Sequence, residues 1–251
     1  MKTAFSNLPC MQLGGTELIE LCRKYNIDGV EIRANNDGSF VYDKNLNITD
    51  IGTGICISDY SSKQIETAKE LLSKDIPAIR VFLGHFRKRY TDPKKEISYD
   101  GIVRELQDMC DLCDKGIWVE THNEFATGKV LKKLISDVNR KNLKIIWDIV
   151  HPIEDGESPY ETWNSIGDSI AHVHIKDGKK NEDPDWHDYF YTPLGSGELP
   201  IAEIIDILKK NNFEGYLSLE WESPWRNELK SLNFSIDEIL QKYVDFMEGL
   251  I

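Results

Sequence analysis

Acidic and imidazole side chains stand at or near the ends of four successive apolar runs between residues 118 and 222. They are Glu120, Asp148, His174 and Glu220. Carboxylates and imidazoles ligate divalent cations, and they also serve as general acids and bases. In one shared site, the three carboxylates would repel one another strongly unless a cation lay between them. The residue types therefore predict a single divalent metal ion, Mn²⁺, Co²⁺, Mg²⁺ or Zn²⁺, bound by these four residues.

The runs that carry these residues belong to a longer alternation of β-prone and helical segments. Predicted strands lie at residues 3–6, 29–33, 54–58, 78–83, 118–122, 144–149, 170–176 and 216–221. Helical periods recur between them, among other places at residues 16–25, 63–72, 102–114, 127–140, 200–211 and 236–249. This alternation indicates βα units, and eight of them close as an α/β fold, the (β/α)8 TIM barrel. An open doubly wound sheet is the alternative, although no GxGxxG motif follows the first strand.

In such a barrel, the C-terminal ends of the strands meet at one face, where active sites form. Each step from one candidate ligand to the next is one βα unit, and the last step is lengthened by the irregular stretch 177–199. Its aromatic residues predict an ordered lid. Within it, Trp186 is a candidate for covering a bound carbohydrate, because aromatic faces stack on sugar C–H surfaces.

Charge and length limit the classes of protein to which the chain can belong. Its 251 residues carry 30 Lys and Arg against 43 Asp and Glu, a formal net charge of −13. This charge disfavours nucleic acid as a partner. No apolar run reaches the roughly 20 residues of a membrane span, and the first residues lack the apolar core of a secretory signal. We expect one domain over residues 1–251, in the cytoplasm, with neither nucleic acid nor membrane as a partner.

Several short motifs follow one another at strand-to-strand spacing. They are Asp28-Gly29-Val30-Glu31-Ile32-Arg33, Val119-Glu120-Thr121-His122, Asp148-Ile149-Val150-His151, His172-Val173-His174-Ile175-Lys176-Asp177, Gly195-Ser196-Gly197-Glu198 and Leu217-Ser218-Leu219-Glu220. Their order and spacing resemble the xylose isomerase-like superfamily of sugar isomerases and epimerases. This superfamily includes tagatose 3-epimerase, inosose dehydratase, hydroxypyruvate isomerase and, more distantly, endonuclease IV. The resemblance covers nearly the whole chain.

The resemblance implies roles for the candidate residues. Glu120, Asp148, His174 and Glu220 would hold the metal ion, and oxygens of a small carbohydrate substrate would complete its coordination. In the epimerases, the two metal-bound glutamates face opposite sides of the substrate and exchange a proton at the carbon next to the carbonyl. Glu120 and Glu220 would take these catalytic roles while the cation stabilises the enediolate oxygen. His151 matches a substrate-binding histidine, and members of this family commonly form homodimers.

Departures from the family patterns leave the reaction open between isomerisation and dehydration. Tagatose-type epimerases have a glutamate and an arginine where this chain has Ala126 and Lys180. His122 and Lys176 are instead similar to residues of the inosose dehydratase branch, in which a lysine beside the metal assists proton removal. The first prediction is a metal-dependent isomerase or epimerase of a small ketose, with His122 and Lys176 in the substrate-binding site. An inosose dehydratase-like lyase is the alternative.

Some of these residues have a second interpretation. Glu31 is either a substrate contact or the partner of Arg33 in a plain ion pair. Glu222 shares the strand parity of Glu220, so either could face the site. His172, one layer deeper in the barrel, is expected to be a hydrogen-bonded core histidine.

Two further functions are compatible with the same fold. A barrel that binds carbohydrate without turnover would hold no stoichiometric metal. An endonuclease IV-like enzyme would need additional His and Asp ligands for three zinc ions, and a basic surface that faces DNA. Six histidines in total and a net charge of −13 argue against this second function.

Overall fold

Eight parallel strands close into a barrel in the computed structural model of the protein, which describes residues 1–86, 92–182 and 189–251. The barrel strands are β1 (Lys2–Ser6), β2 (Gly29–Arg33), β3 (Ile48–Ile57), β4 (Ala78–Leu83), β5 (Gly116–Glu120), β6 (Leu143–Asp148), β7 (Ile170–Ile175) and β10 (Tyr216–Leu219), and two further strands are β8 (Asp177–Lys180) and β9 (Tyr189–Thr192). Strands β1 to β7 neighbour one another in chain order, and β10 lies between β7 and β1. Strands β8 and β9 form a separate antiparallel pair. The predicted (β/α)8 TIM barrel is confirmed.

Helices form most of the connections between the barrel strands. They are α1 (Gly15–Tyr25), α2 (Ser62–Leu72), α3 (Tyr99–Cys110), α4 (Gly128–Val138), α5 (Val150–Glu154), α6 (Pro159–Ile166), α7 (Ile201–Lys210), α8 (Asn227–Lys230) and α9 (Ile236–Glu248). Helix α7 shows the pattern that buries one helix face, because Ile201, Ile204, Ile205 and Leu208 are buried while Lys209 is exposed. Among the helices of the described residues, none is long and apolar enough to cross a bilayer.

Side-chain caps determine where two of these helices begin. Ser158 before α6 and Ser235 before α9 each accept a hydrogen bond from the backbone N–H three residues later, at 3.3 Å. Glu161 and Glu238 accept hydrogen bonds from the N–H groups of those serines at 2.9 and 2.8 Å. Each capping box satisfies two N–H groups that the helix cannot bond internally. Helices α5, α6 and α8, which are short, were missed by the sequence-based prediction.

Two other parts of the chain differ from expectation. Strand β3 begins at Ile48, whereas the sequence predicted a start at residue 54. The prediction missed the first part of the strand because its buried polar residues Thr49 and Asp50 obscure the apolar pattern. The stretch 177–199, predicted as an irregular lid, contains the antiparallel pair β8–β9. Trp186 lies outside the described residues, so its predicted role as a substrate cover stays a prediction.

Candidate active site

The C-terminal ends of four barrel strands carry the candidate metal ligands. Glu120 is the last residue of β5, Asp148 the last of β6, His174 the last but one of β7, and Glu220 directly follows β10. Asp148 lies opposite His174 in the register of β6 and β7. One possible ligand atom from each residue lies within 4.8 Å of the others, and all four side chains are buried. The fold therefore brings the four predicted residues into one cluster, called the ligand cluster below.

A hydrogen bond beneath the ligand cluster orients His174. Its Nε2 lies 2.7 Å from Glu31 Oε2 on β2. Its Nδ1 lies 3.4 Å from Glu220 Oε2 and 3.7 Å from Glu120 Oε1, and it has no hydrogen-bond partner among the described residues. Burial alone would lower the pKa of His174, but the negative charges of Glu220 and Glu31 outweigh burial and raise it well above its ordinary value. One ring nitrogen is thus held by a carboxylate while the other faces the ligand cluster.

Lys176 places a positive charge directly against the ligand cluster. Its Nζ lies 2.6 Å from Asp148 Oδ2 and also contacts Glu220 Oε2. The same ammonium lies 2.5 Å from Glu222 Oε1, whose side chain is only 15% exposed, so Glu222 faces the site as well. Burial would lower the pKa of Lys176, but Asp148 and the two glutamates raise it well above its ordinary value. The ammonium therefore stays charged and offsets part of the negative charge.

The two glutamates of the ligand cluster experience opposite environments. Burial alone would raise the pKa of Glu120, but Arg80 Nη1 lies 2.6 Å from Glu120 Oε2 and holds the pKa well below its ordinary value. At Glu220, burial outweighs the charges of Lys176 and His174 and raises the pKa to about 7. Two carboxyl groups with separated pKa values suit a reaction in which one accepts a proton and the other donates one.

The donors of the ligand cluster fit a divalent cation. Three carboxylates and one imidazole offer oxygen and nitrogen without thiolate, a set that suits Mn²⁺, Co²⁺, Mg²⁺ or Zn²⁺ in an open site. His174 Nδ1 is a buried nitrogen left for such an ion. A second group, Glu31, His172 and His174, meets the same 4.8 Å limit. There, however, Glu31 and His174 already share a direct hydrogen bond.

A cavity of about 970 Å³ reaches the ligand cluster. Glu120 and Glu220 line it, together with His122 and His151, two of the predicted substrate-binding residues. The two imidazole rings lie 4.3 Å apart between centroids. The volume lies in the upper part of the range of small-molecule sites. The cavity therefore exposes both candidate catalytic glutamates to a ligand.

The paired histidines differ in charge at neutral pH. Burial and the charge of His151 lower the pKa of His122 to about 4. His151 Nε2 lies 3.5 Å from Asp148 Oδ2, and its Nδ1 lies 3.0 Å from Glu154 Oε2. These carboxylates outweigh burial and raise the pKa of His151 to about 9. The cavity wall therefore presents one neutral and one protonated imidazole.

The structure excludes one of the two alternatives for Glu31, and the expectation for His172 was wrong. Glu31 lines the cavity, but it hydrogen-bonds His174 and forms no ion pair with Arg33, whose Nη1 donates to Thr53 O at 3.1 Å. His172 was expected to be hydrogen-bonded, yet its ring nitrogens lie 3.7 Å from Glu31 Oε2 and 3.6 Å from an oxygen of Asp50. Burial and the charge of His174 lower the pKa of His172 to about 3, so the ring is neutral.

Sequence reasoning missed residues that belong to this site. Arg80 lies within the apolar run AIRVFL, and a charge in such a run is itself a signal, because its burial requires a partner. Asp50 is completely buried, and burial and the charge of Glu31 raise its pKa well above the ordinary value. Trp225, an exposed aromatic residue of the cavity wall, is marked by no motif, whereas Phe190 lies in the stretch 177–199, whose aromatic residues predicted a lid.

A family model described as xylose isomerase-like TIM barrel matches residues 57–242. Among curated proteins, an inosose dehydratase of Clostridium botulinum (strain Alaska E43 / Type E3) is 30% identical over 124 residues. These residues are 43% of this chain and 42% of that protein, so the matched stretch spans less than half of the relative's length.

Solved structures extend the likeness over the whole barrel. The IolI protein with a bound zinc atom has a TM-score of 0.69 at 18% identity, covering 100% of this chain and 99% of that one. D-Psicose 3-epimerase with D-tagatose from Clostridium cellulolyticum H10 has a TM-score of 0.73 at 16% identity, covering 99% and 98%. At these identities the structural likeness shows the fold alone. The family model matches most of this chain, residues 57–242, so the chain belongs to the xylose isomerase-like TIM barrel family.

Proposed function

We propose that the protein is a divalent-metal-dependent isomerase or epimerase that acts on a small ketose or a related carbohydrate. The observation that carries this proposal is the buried ligand cluster at the cavity, with all four possible ligand atoms within 4.8 Å of one another. Enzymes among its relatives, including an inosose dehydratase and an epimerase, support catalysis over simple carbohydrate binding. The zinc atom in the IolI structure supports a metal in this fold.

Glu120 and Glu220 are the groups proposed to move the proton. Glu120, kept ionised by Arg80, would accept a proton from the substrate carbon next to the carbonyl. Glu220 would return a proton to the same or the neighbouring carbon. A divalent ion bound there would polarise the carbonyl and stabilise the charge that develops on its oxygen. Protonated His151 and neutral His122 would hydrogen-bond the substrate hydroxyls.

Dehydration is the second candidate, and Lys176 is the observation that favours it. Its ammonium contacts Glu220 and lies 2.6 Å from Asp148, where it could assist proton removal next to a leaving hydroxyl. The similarity to inosose dehydratases covers less than half of either chain, so it supports this candidate without excluding isomerisation.

Mass spectrometry in D₂O separates the two reactions. We expect Mn²⁺-loaded protein, incubated with a panel of ketoses and inososes, to introduce one deuterium into an isomeric product. Loss of one water from the substrate would instead show the dehydratase. Absence of stoichiometric metal by elemental analysis, after purification with Mn²⁺, would contradict both.

Variants of the two glutamates test their role in the same assay. Glu120→Gln and Glu220→Gln are each expected to slow turnover by about 10²–10⁴-fold, because each removes one proton-transfer group. Glu203→Gln, which changes an exposed carboxylate on α7, is the matched control and is expected to retain full activity. Undiminished turnover in both active-site variants would exclude the proposed proton transfer.

A further inference from the structure

The cavity wall carries one arginine that forms no ion pair with a carboxylate of the described residues. Among the described residues, Arg33, Arg80 and Arg226 line the cavity. Arg80 pairs with Glu120 at 2.6 Å, and Arg226 Nε lies 3.7 Å from Glu222 Oε2. Arg33 forms no ion pair with a described residue, although the chain carries a net charge of −13. Such an unpaired cation at a cavity wall requires an explanation.

The local structure holds Arg33 in place without using most of its donors. It is the last residue of β2, and its backbone N–H donates to Asn7 Oδ1 at 2.7 Å. Its Nη1 donates to Thr53 O at 3.1 Å, and its guanidinium carbon lies 5.4 Å from the ring centroid of Trp225. A guanidinium has five N–H donors in a rigid planar fork, and stacking on an aromatic face leaves the donors at its edge available. Arg33 is therefore oriented before any ligand binds.

The electrostatic surroundings of Arg33 favour the arrival of a negative charge. Burial and the positive charge of Arg80 lower the pKa of Arg33 to about 10, although the charges of Glu31, Glu120 and Glu220 act in the opposite direction, so the group remains a cation at neutral pH. A partly desolvated cation beside a second cation is unfavourable unless an anion compensates it. Glu120 forms its ion pair with Arg80 at 2.6 Å and acts on Arg33 only from beyond ion-pair distance.

We propose that Arg33 binds an anionic group of the substrate, a carboxylate or a phosphate, and that Trp225 forms one side of this subsite. The inference rests on the proposed function in one respect, because it assumes that the substrate occupies the same cavity. Carboxylate and phosphate oxygens match the guanidinium fork and accept two parallel hydrogen bonds from it. Trp225, 58% exposed, offers an apolar face to the carbon skeleton beside that group. The substrate class is therefore an acidic or phosphorylated sugar rather than a neutral one.

Calorimetric titration with matched pairs of probes tests the subsite. The pairs are D-gluconate with D-glucitol, and D-fructose 6-phosphate with D-fructose, so that each pair differs chiefly by the anionic group. We expect at least one anionic probe to bind the Mn²⁺-loaded protein about 10–100-fold tighter than its neutral partner, as a charge-assisted hydrogen-bonded pair provides. A preference for D-gluconate over D-glucitol would indicate a carboxylate subsite, and a preference for D-fructose 6-phosphate over D-fructose would indicate a phosphate subsite.

Variants of Arg33 assign the preference to this side chain. Arg33→Met is expected to remove the preference and to leave the affinity for the neutral probe unchanged. Arg33→Lys, which keeps the charge without the planar fork, is expected to retain an intermediate preference. Arg104→Met is the matched control, because Arg104 also stacks on a ring, that of Tyr60 at 4.5 Å, but does not line the cavity. This control is expected to bind all probes as the wild type does.

Two results would overturn the inference: no anionic probe preferred over its neutral partner, or a preference that survives in Arg33→Met. A Mn²⁺ titration of the same preparation keeps this test separate from the proposed function. If Mn²⁺ binds and no anion is preferred, only the anionic subsite falls. If Mn²⁺ does not bind while the Arg33-dependent preference persists, the metal-dependent function falls and the subsite stands.

Discussion

His174 Nε2 and Glu31 Oε2 share a direct hydrogen bond of 2.7 Å, and this bond leaves Nδ1 of the same ring directed at the ligand cluster. A carboxylate behind a metal-binding histidine selects the tautomer and fixes the ring orientation. Glu31→Ala is therefore expected to weaken Mn²⁺ binding about 10–100-fold in calorimetric titration. Glu31→Gln keeps an acceptor oxygen and should recover part of the affinity. Equal Mn²⁺ affinity in Glu31→Ala and the wild type would exclude this role.

The affinity for Mn²⁺ is expected to rise with pH through neutrality. The pKa of Glu220 is about 7 and that of His174 is raised well above its ordinary value, so both hold protons that the metal must displace. Each displaced proton weakens binding by about tenfold for every pH unit below the pKa of its group. Titrations from about pH 6 to about pH 8 measure the slope, and a pH-independent affinity would contradict the assignment of His174 as a ligand.

Lys176 is expected to compete with the metal for the same carboxylates. Its ammonium lies 2.6 Å from Asp148 Oδ2 and contacts Glu220, so Lys176→Met removes a counter-ion that Asp148, Glu220 and Glu222 share in the metal-free protein. The melting temperature of the metal-free variant should fall, because the carboxylates then repel one another. Added Mn²⁺ should raise the melting temperature more in the variant than in the wild type. An equal rise in both proteins would show that the two cations do not compete.

Two buried histidines are expected to lower the free energy of unfolding in mild acid, while Glu220, whose pKa is raised to about 7, contributes in the opposite direction. The pKa values of His122 and His172 are about 4 and about 3 in the folded protein, against an ordinary 6.5. Below about pH 6.5 the unfolded chain binds these protons and the folded chain does not, so the contribution of each histidine to the stability decreases as the pH falls towards about 4. The expected slope is about 1.4 kcal/mol per pH unit for each histidine. In urea unfolding, the pH dependence of the free energy of unfolding of His122→Gln should lack the contribution of one histidine. The same slope in the variant and the wild type would contradict the lowered pKa of His122.

Much of the site could be predicted from the sequence because its residues stand at strand ends, and strand ends of a barrel meet at one face. Glu120 is an example, since its position follows from the βα repeat, whereas the choice of Glu220 over Glu222 rests on the motif Leu217-Ser218-Leu219-Glu220. Asp50, which lies deeper in the barrel, could not be predicted, because the polar residues of β3 obscure the alternating apolar pattern of that strand. Whether Arg33 has a counter-ion depends on distances across the barrel, which the sequence does not contain. The homodimer and the cytoplasmic location stay predictions.

The last prediction concerns the ion pair of Arg80 and Glu120, whose side chains are 3% and 2% exposed. Removing one partner of such a pair leaves a desolvated charge, which typically costs about 3–5 kcal/mol. Arg80→Met is expected to lower the free energy of unfolding in urea by this amount and to raise the pKa of Glu120. The double variant with Glu120→Gln is the control, because it leaves no uncompensated charge. The double variant should have a higher free energy of unfolding than Arg80→Met alone. A lower value would show that the cost arises from lost packing of the arginine side chain rather than from the uncompensated carboxylate.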